Sequence, residues 1–479
     1  MDMDTARREF DAASQARFAQ LSCDYNPIHM DAVAARRTQA GGPIVHGIHS
    51  LLWLLEAIAS SEIRPQRAAS LKVQFRRPIY VGDVGSVEIL QVTPETVRAR
   101  IVIEGTETVV ASIRFGQRRG ITPPLADERT IPTTPPASPH DLRFNEMGNC
   151  RGCLSFTSTT AQTEAMFPSA TNCFGARQMT ALVCSSCLVG MVVPGLHSLL
   201  VGLDVSFSDD VSTPADALQF AVTSAEPRFR LVRIGVRGGG LYGSVETVSR
   251  LPPVTQPSMT RARTLVAKDE FCGCTALIIG GSRGLGELTA KLIAAGGGRV
   301  VITYATGKHD AEAVSEEIKK AGAECKTVPY DVREGATQQL AALGEQVPAH
   351  VYYFATPAIF RRKAGPFDLR RFAEFNSFYV ASFLELVQAC LHQRPDGISV
   401  FYPSSLSIDT RPADMTEYTM SKAAAEILCA DMQLYLPGAR VLTRRLPRLP
   451  TDQTASVAQV ETADPIQVML PIVREMQSY

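Results

Sequence analysis

Net charge is the first thing this sequence lacks. Its 479 residues carry 48 Lys plus Arg against 48 Asp plus Glu, a formal balance of zero. Bulk charge therefore gives no reason to expect binding to nucleic acid or to a membrane surface. The opening MDMDTARREF has no apolar run, so no secretory leader is expected, and reduced thiols in a cytoplasmic setting are the default. Asp, Glu, Lys and Arg are also missing from Met179 to Leu203, a length that would span a bilayer. Pro194-Gly195 splits that stretch and Ser185, Ser186, His197 and Ser198 dilute it. A buried helix followed by a strand is expected there, with no membrane partner.

Cysteine is not scarce. Eleven are present, including the C-x-x-C pairs Cys150/Cys153 and Cys184/Cys187. The second pair sits inside TALVCSSCLVGMVV, where both thiols read as small core residues. The gap between the pairs is longer than in a zinc ribbon, so no metal is expected.

An apolar content of 45% with 20% charged residues is that of a globular protein, and the length suggests about three domains. The Pro/Thr-rich segment 119–140 reads as a semi-extended linker, and 253–269 as a second one. The blocks are then 1–118, 141–252 and 270–479. The first has one helix-like run, GIHSLLWLLEAIASSEI, followed by alternating segments that read as strands: SLKVQF, GSVEILQV, TVRARIVIEG and ETVVASIRF. The second repeats that order, with GARQMTALVCSSCLVGMVV and then four strands, as two copies of one α+β unit would. In the third, strand-like TALIIG, RVVITY, ECKTVPYD, HVYYFAT, GISVFYPSS and ARVLTRRLP alternate with helical runs. That is the pattern of an α/β, Rossmann-type, doubly wound parallel sheet.

Between the first strand and helix of this block lies GGSRGLG, with Gly280, Gly284 and Gly286 as G-x-x-x-G-x-G. Such glycines let backbone N–H groups approach a pyrophosphate at a helix N-terminus. Tyr418 and Lys422 follow as Y-x-x-x-K, Ser405 lies thirteen residues before Tyr418, and Asn376 lies further upstream. Together these residues resemble the short-chain dehydrogenase/reductase family over about 272–455. A tyrosine can supply the proton that accompanies hydride transfer if its pKa approaches the working pH, and the Lys422 ammonium would favour the Tyr418 phenolate. The resemblance implies that Ser405 bonds the substrate oxygen and that Asn376 orders a proton-relay water. It also implies cofactor contacts from Gly280, Ser282, Arg283, Gly284, Leu285 and Gly286, from Asp331 (on the adenine amino group) and Val332, from Ala355, and from Tyr418 and Lys422. The second strand ends ITYAT with no acid before Asp310, and Arg283 sits in the glycine loop, so NADP(H) is expected. There are departures. Ile279 replaces the usual Thr, the Asn-Asn-Ala-Gly run reads YFAT and keeps only Ala355, Pro447-Arg448 replaces Pro-Gly, and the last strand is apparently missing.

Near the start, CDYNPIHMDA places Asp24 and His29 five apart around an Asn-Pro turn, ahead of GGPIVHGIHS. These stretches resemble the MaoC-like hotdog dehydratases, or (R)-specific enoyl thioester hydratases, with Cys23 where that family commonly has Gly. The resemblance implies that Asp24 and His29 share one water as an acid–base pair. It also implies that the N–H of Gly47, opening the hotdog helix, stabilises the thioester oxygen. His46 and His49 read as packing or helix-capping groups. Where the first copy has His46-Gly47 the second has Phe174-Gly175, and no His falls between His140 and His197, so 141–252 reads as a catalytically empty second hotdog. Arg76-Arg77 and Arg228/Arg230 read as solvated strand edges, with phosphates of coenzyme A or a carrier protein as the competing reading.

The expected fold is thus an α+β double hotdog followed by a Rossmann-type sheet. The expected chemistry is (R)-3-hydroxyacyl thioester dehydration joined to NADP(H)-dependent 3-oxoacyl thioester reduction. The substrate would be an acyl-CoA or acyl carrier protein thioester, and the protein a homo-oligomer. In the alternative reading the reductase takes an unrelated carbonyl, and the hotdog pair only binds acyl groups or dimerises.

Overall fold

In the strand Thr96–Ile103, Val97, Ala99, Ile101 and Ile103 are buried while Arg98 faces outward, the period of two that a half-buried strand requires. Its hairpin turn, Glu104-Gly105, has positive φ at both positions (48° and 73°), which matches the twist of the flanking strands. The computed structural model describes residues 6–61, 67–118, 125, 131–209, 215–344, 346–360, 365–455 and 460–479. It divides into two compact units, Met1–Pro252 and Pro253–Ala455 with Gln459–Tyr479.

The first unit holds a ten-stranded antiparallel sheet: β1 (Arg7–Glu9), β2 (Ala68–Phe75), β3 (Val84–Val92), β4 (Thr96–Ile103), β5 (Thr106–Phe115), β6 (Arg151–Ser155), β7 (Ser198–Phe207), β8 (Ala217–Glu226), β9 (Leu231–Gly238) and β10 (Leu241–Ser249). The spatial order is β1-β3-β4-β5-β2-β7-β10-β9-β8-β6. With β6–β10 taken as copies of β1–β5, the order reads the same from either edge. The seam is β2 against β7, from Ser70↔Ser206 to Gln74↔Gly202. Helices Gly47–Ala59 and Ala176–Cys187 fill one shared core with the sheet. The charge-free stretch becomes this second helix, a π-helical turn Leu188–Val192 and then β7. Among the described residues no helix is long and apolar enough to cross a membrane. Cys184 and Cys187 are buried in the core, and burial pushes both thiols up. Short edge strands β1 and β6 were not legible in the sequence.

Residues 119–124 and 126–130 of the first expected linker lie outside the described residues. The part that follows is no free tether: Thr133 N–H donates to Cys153 O at 2.8 Å and Ser155 N–H returns to Thr133 O at 2.9 Å. The second expected linker, 253–269, is corrected. It contains helix Met259–Arg263, and Met259, Ala262 and Val266 enter the core of the second unit, an apolar i, i+3, i+7 stripe hidden among prolines and arginines.

The second unit holds six parallel strands: β11 (Thr275–Ile279), β12 (Arg299–Tyr304), β13 (Cys325–Pro329), β14 (His350–Tyr353), β15 (Ile398–Ser405) and β16 (Ala439–Leu446), in the order β13-β12-β11-β14-β15-β16. The order reverses between β11 and β14, which opens a crevice at the strands' carboxyl ends. Apolar clusters cover both faces of the sheet. Beyond β16 the described chain forms helix Pro465–Gln477, which packs Ile466, Met469 and Val473 into one of them.

Two candidate active sites

Helix Ala12–Ser22 ends at Cys23, whose φ of 53° turns the chain sharply. Asn26 then caps the short helix Pro27–Met30 by accepting Ile28 N–H at 3.1 Å. The Asn26 amide also donates to Gly190 O at 2.8 Å and Gly195 O at 3.0 Å, both in the second half of the sheet unit. This turn sets Asp24 and His29 side by side. Asp24 is 2% exposed. Its carboxylate accepts the Ser186 hydroxyl at 2.8 Å and Asn26 N–H at 3.3 Å. Burial pushes Asp24 up, against the opposing effects of His29 and these hydrogen bonds.

His29 Nδ1 lies 2.8 Å from Ile44 O. A carbonyl can only accept, so Nδ1 carries the proton and Nε2 keeps its lone pair. Burial, then His46, push His29 down to about 3. His46 uses Nε2–H to reach the Asp24 carbonyl at 2.9 Å, and its ring stacks on His29 with centroids 4.0 Å apart. Its Nδ1 is buried without a hydrogen bond, and burial lowers it to about 4. His46 thus holds both members of the pair, which the packing or capping reading missed. His49 does pack, stacked on Phe18 at 4.7 Å and bonded to Gln15.

Gly47 opens helix Gly47–Ala59, where first-turn amides have no intrahelical partner. A Cβ there would lie 2.9 Å from Leu200 Cδ2 and 3.3 Å from the Phe75 ring. A cavity of about 160 Å³ joins Asp24, His29, Gly47, Phe75, Ser186 and Leu200, with Arg76 and Arg77 also on its lining. Arg76 is ion-paired with Glu107, while Arg230 donates to Ser249 O and lies over the Phe144 ring.

At the corresponding place in the second half, Arg118 donates to Phe174 O at 2.6 Å, pairs with Asp209 and lies over Phe207. That copy has Phe174-Gly175 where the first has His46-Gly47, and its histidine, His197, pairs with Asp141 at 3.2 Å. The half nevertheless completes the first site, because the π-helical turn presses Gly190 against Asp24. A Cβ on Gly190 would lie 2.1 Å from Oδ1. Ser186 and Gly190 had no local sequence signal. Among the described residues, Asp24, His29 and His46 form a set whose ligand atoms lie within 4.8 Å of one another, the spacing of a metal site. His29 Nδ1 and His46 Nε2 are already committed to backbone carbonyls.

In the second unit, β11 runs into the glycine loop and helix Gly284–Ala295. Gly280 has φ 79° and donates its N–H to Thr303 Oγ1 at 3.0 Å, and a Cβ would meet Phe354 and Ala355 backbone at 3.1 Å. A Cβ on Gly286 would lie 2.3 Å from Gly280 O, so only glycine fits. This cradle at a helix N-terminus suits a pyrophosphate. Ser282 is buried in it, and Leu285 packs on the core beneath. Gly284 has φ 60°. Arg283 pairs with Asp452 at 3.3 Å. Asp331 is held by Arg333 at 2.5 Å, which lowers its carboxyl, and Val332 is buried beside it.

Tyr418 and Lys422 lie one turn apart on helix Thr416–Tyr435, and the Ser405 hydroxyl at the end of β15 favours the ionised form of the Tyr418 phenol. Lys422 Nζ donates to Pro403 O at 2.7 Å and lies 6.0 Å from the Tyr418 ring centroid. Burial lowers Lys422 to about 7. Tyr418 itself is raised, by burial first. The expectation that the ammonium lowers this phenol is therefore not met: burial sets the direction, and the opposing effect comes from Ser405. Asn376 ends helix Leu369–Asn376, where the chain loosens into the π-helical turn Ser377–Ala381, and its Oδ1 is buried without a hydrogen bond.

Residues 1–112 match the model of the MaoC like domain, and residues 274–444 that of the short chain dehydrogenase. The chain is 31% identical over 99 residues to a 3-hydroxybutyryl-CoA dehydratase of Methylorubrum extorquens, covering 20% of this chain and 62% of that protein. It is 34% identical over 84 residues to an (R)-specific enoyl-CoA hydratase of Aeromonas caviae, covering 17% and 62%. Over 176 residues it is 27% identical to an uncharacterized oxidoreductase of Streptomyces coelicolor, covering 35% and 70%. The chain thus spans under two thirds of the length of the first two relatives.

Proposed function

Since this chain joins a MaoC-like dehydratase domain to a short-chain dehydrogenase domain, we propose that it interconverts (R)-3-hydroxyacyl and trans-2-enoyl thioesters at one site. At the other it interconverts 3-hydroxyacyl and 3-oxoacyl thioesters with NADP(H). The observation that carries the reading is that buried Asp24 and half-buried His29 face one cavity with Gly47. The mirrored strand order supports a double hotdog, in which the second copy holds and walls the site of the first.

In hydration, the free Nε2 of neutral His29 takes a proton from the attacking water. Asp24, whose burial favours its protonated form, delivers one to the α-carbon. The Gly47 N–H faces the thioester oxygen as negative charge develops there. The names of the two dehydratase relatives support a thioester substrate, and coenzyme A and carrier protein share the phosphopantetheine arm.

At the second site the nicotinamide supplies hydride. Ser405 hydrogen-bonds the carbonyl oxygen, and Tyr418 gives it a proton. The missing acid after β12 and the basic Arg283 support the phosphorylated cofactor. The test is a pair of assays on the full chain: loss of enoyl absorbance with crotonyl-CoA, and NADPH consumption with acetoacetyl-CoA. Asp24→Asn should lower the first about 10³-fold and spare the second. Wild type inert in the first assay would leave the hotdog pair as a binding module, and hydration untouched in Asp24→Asn would remove Asp24 from the reaction.

A further inference from the structure

Tyr379 is a buried tyrosine, 1% exposed, that nothing in the proposed reaction uses. The Lys422 ammonium sits 4.0 Å from its ring centroid and 4.7 Å from that of Tyr402. The ring is fixed from two sides. Its face stacks on Phe375 (5.7 Å, 7°), and its hydroxyl lies 2.5 Å from Thr356 Oγ1. The Thr356 hydroxyl also lies within reach of Pro357 O at 3.1 Å. Thr356 stands in the YFAT run, where the family resemblance expects glycine.

Lys422 has little else to hold its charge. Among the described residues, its other hydrogen-bond partner besides Pro403 O is Tyr402 OH at 3.5 Å, a marginal hydrogen bond. Glu426, one turn further on, is paired with Arg445 of β16 and bonded to Ser404. The titratable groups around the ammonium are Tyr379 with Glu374 behind it, Tyr402 of β15, Tyr353 of β14, and Tyr418, Glu426 and Cys429 on its own helix. An aromatic face offers a desolvated cation an attraction that a saturated side chain does not.

We propose that Tyr379 is a positioning residue whose ring, rather than its hydroxyl, keeps the Lys422 ammonium charged and in place beside Tyr418. Its importance for turnover rests on the reading of Tyr418 and Lys422 as the acid–base pair. The contact itself does not.

The chain has nine lysines, few enough for each to be followed in the full-length protein labelled at the lysine ε-carbon. A titration by NMR, with the Lys422 signal assigned by its loss in Lys422→Met, reads the ammonium directly. Tyr379→Leu and the longer, unbranched Tyr379→Met should move the Lys422 midpoint down by about one pH unit. Tyr379→Phe and Thr356→Val, which keep the ring, should leave it in place. Lys291, buried in ion pairs with Glu287 and Glu317, serves as the folding control. An unmoved midpoint in folded Tyr379→Leu or Tyr379→Met would overturn the proposal, as would an equal drop in Tyr379→Phe. The titration needs neither substrate nor cofactor, so its failure is separate from a failure of the reductase reading.

Discussion

Asp24 shows how little freedom the proposed catalytic carboxylate has in this protein. One oxygen takes the Ser186 hydroxyl, its main-chain carbonyl takes His46, and Gly190 lies flat against it. A methyl group on Gly190 cannot be accommodated without displacing Asp24. Gly190→Ala should therefore lower crotonyl-CoA hydration by about 10²-fold while NADPH-dependent reduction is unchanged. Gly47→Ala should cost less, because its closest contact is the mobile end of Leu200. The histidines give a stability signature. His29 and His46 titrate near 3 and 4 when folded and near 6.5 when unfolded. Between those values the unfolded chain binds more protons, so their contribution is present above about pH 6.5 and is lost as pH falls through 4 and 3. Asp24 acts in the opposite sense, since its raised carboxyl favours the fold at low pH and loses that contribution as pH rises through its folded value. Denaturant midpoints of wild type should fall from pH 7 to pH 4.5, and His46→Gln should show a shallower fall. An equal or steeper fall in His46→Gln would refute this assignment.

Among the elements, the helix Ala176–Cys187 and its π-helical turn decide what the second half contributes. An unbroken α-helix would advance each residue by a fixed angle. The widened turn at Leu188–Val192 instead brings Gly190 to Asp24 along with Ser186. Removing the Ser186 hydroxyl takes a hydrogen bond from the charged form of Asp24, so its pKa should rise further. Ser186→Ala should lower hydration about tenfold and move any limb of the pH profile set by Asp24 to higher pH. A lower melting temperature with an unmoved profile would instead make Ser186 a packing residue. The elements themselves were largely legible, because hydrophobic period and glycine placement are local. Helix Gly47–Ala59 and the longer strands of both sheets follow from them. So does the turn at Asn26-Pro27, which fixes Asp24 against His29. What was not legible is what long-range packing decides. Ser186 reaches Asp24 across 162 positions, and Arg283 meets Asp452 across 169. The short edge strands carry too few residues to show a period. The segment 253–269 hid its apolar stripe among residues typical of loops.

At the scale of the whole molecule, the hydroxyacyl thioester is the proposed product of one unit and the substrate of the other. Tethering two such sites raises the effective concentration of the shared compound at the second site. That is the physical reason for placing both on one chain. The measurement that tests this claim most directly is mass-spectrometric product analysis after incubation with acetoacetyl-CoA and NADPH. Wild type, Asp24→Asn and Tyr418→Phe would be run together. The account predicts crotonyl-CoA from wild type, arrest at 3-hydroxybutyryl-CoA in Asp24→Asn, and unconverted acetoacetyl-CoA in Tyr418→Phe. Unused NADPH in wild type, or crotonyl-CoA formed equally by Asp24→Asn, would contradict it.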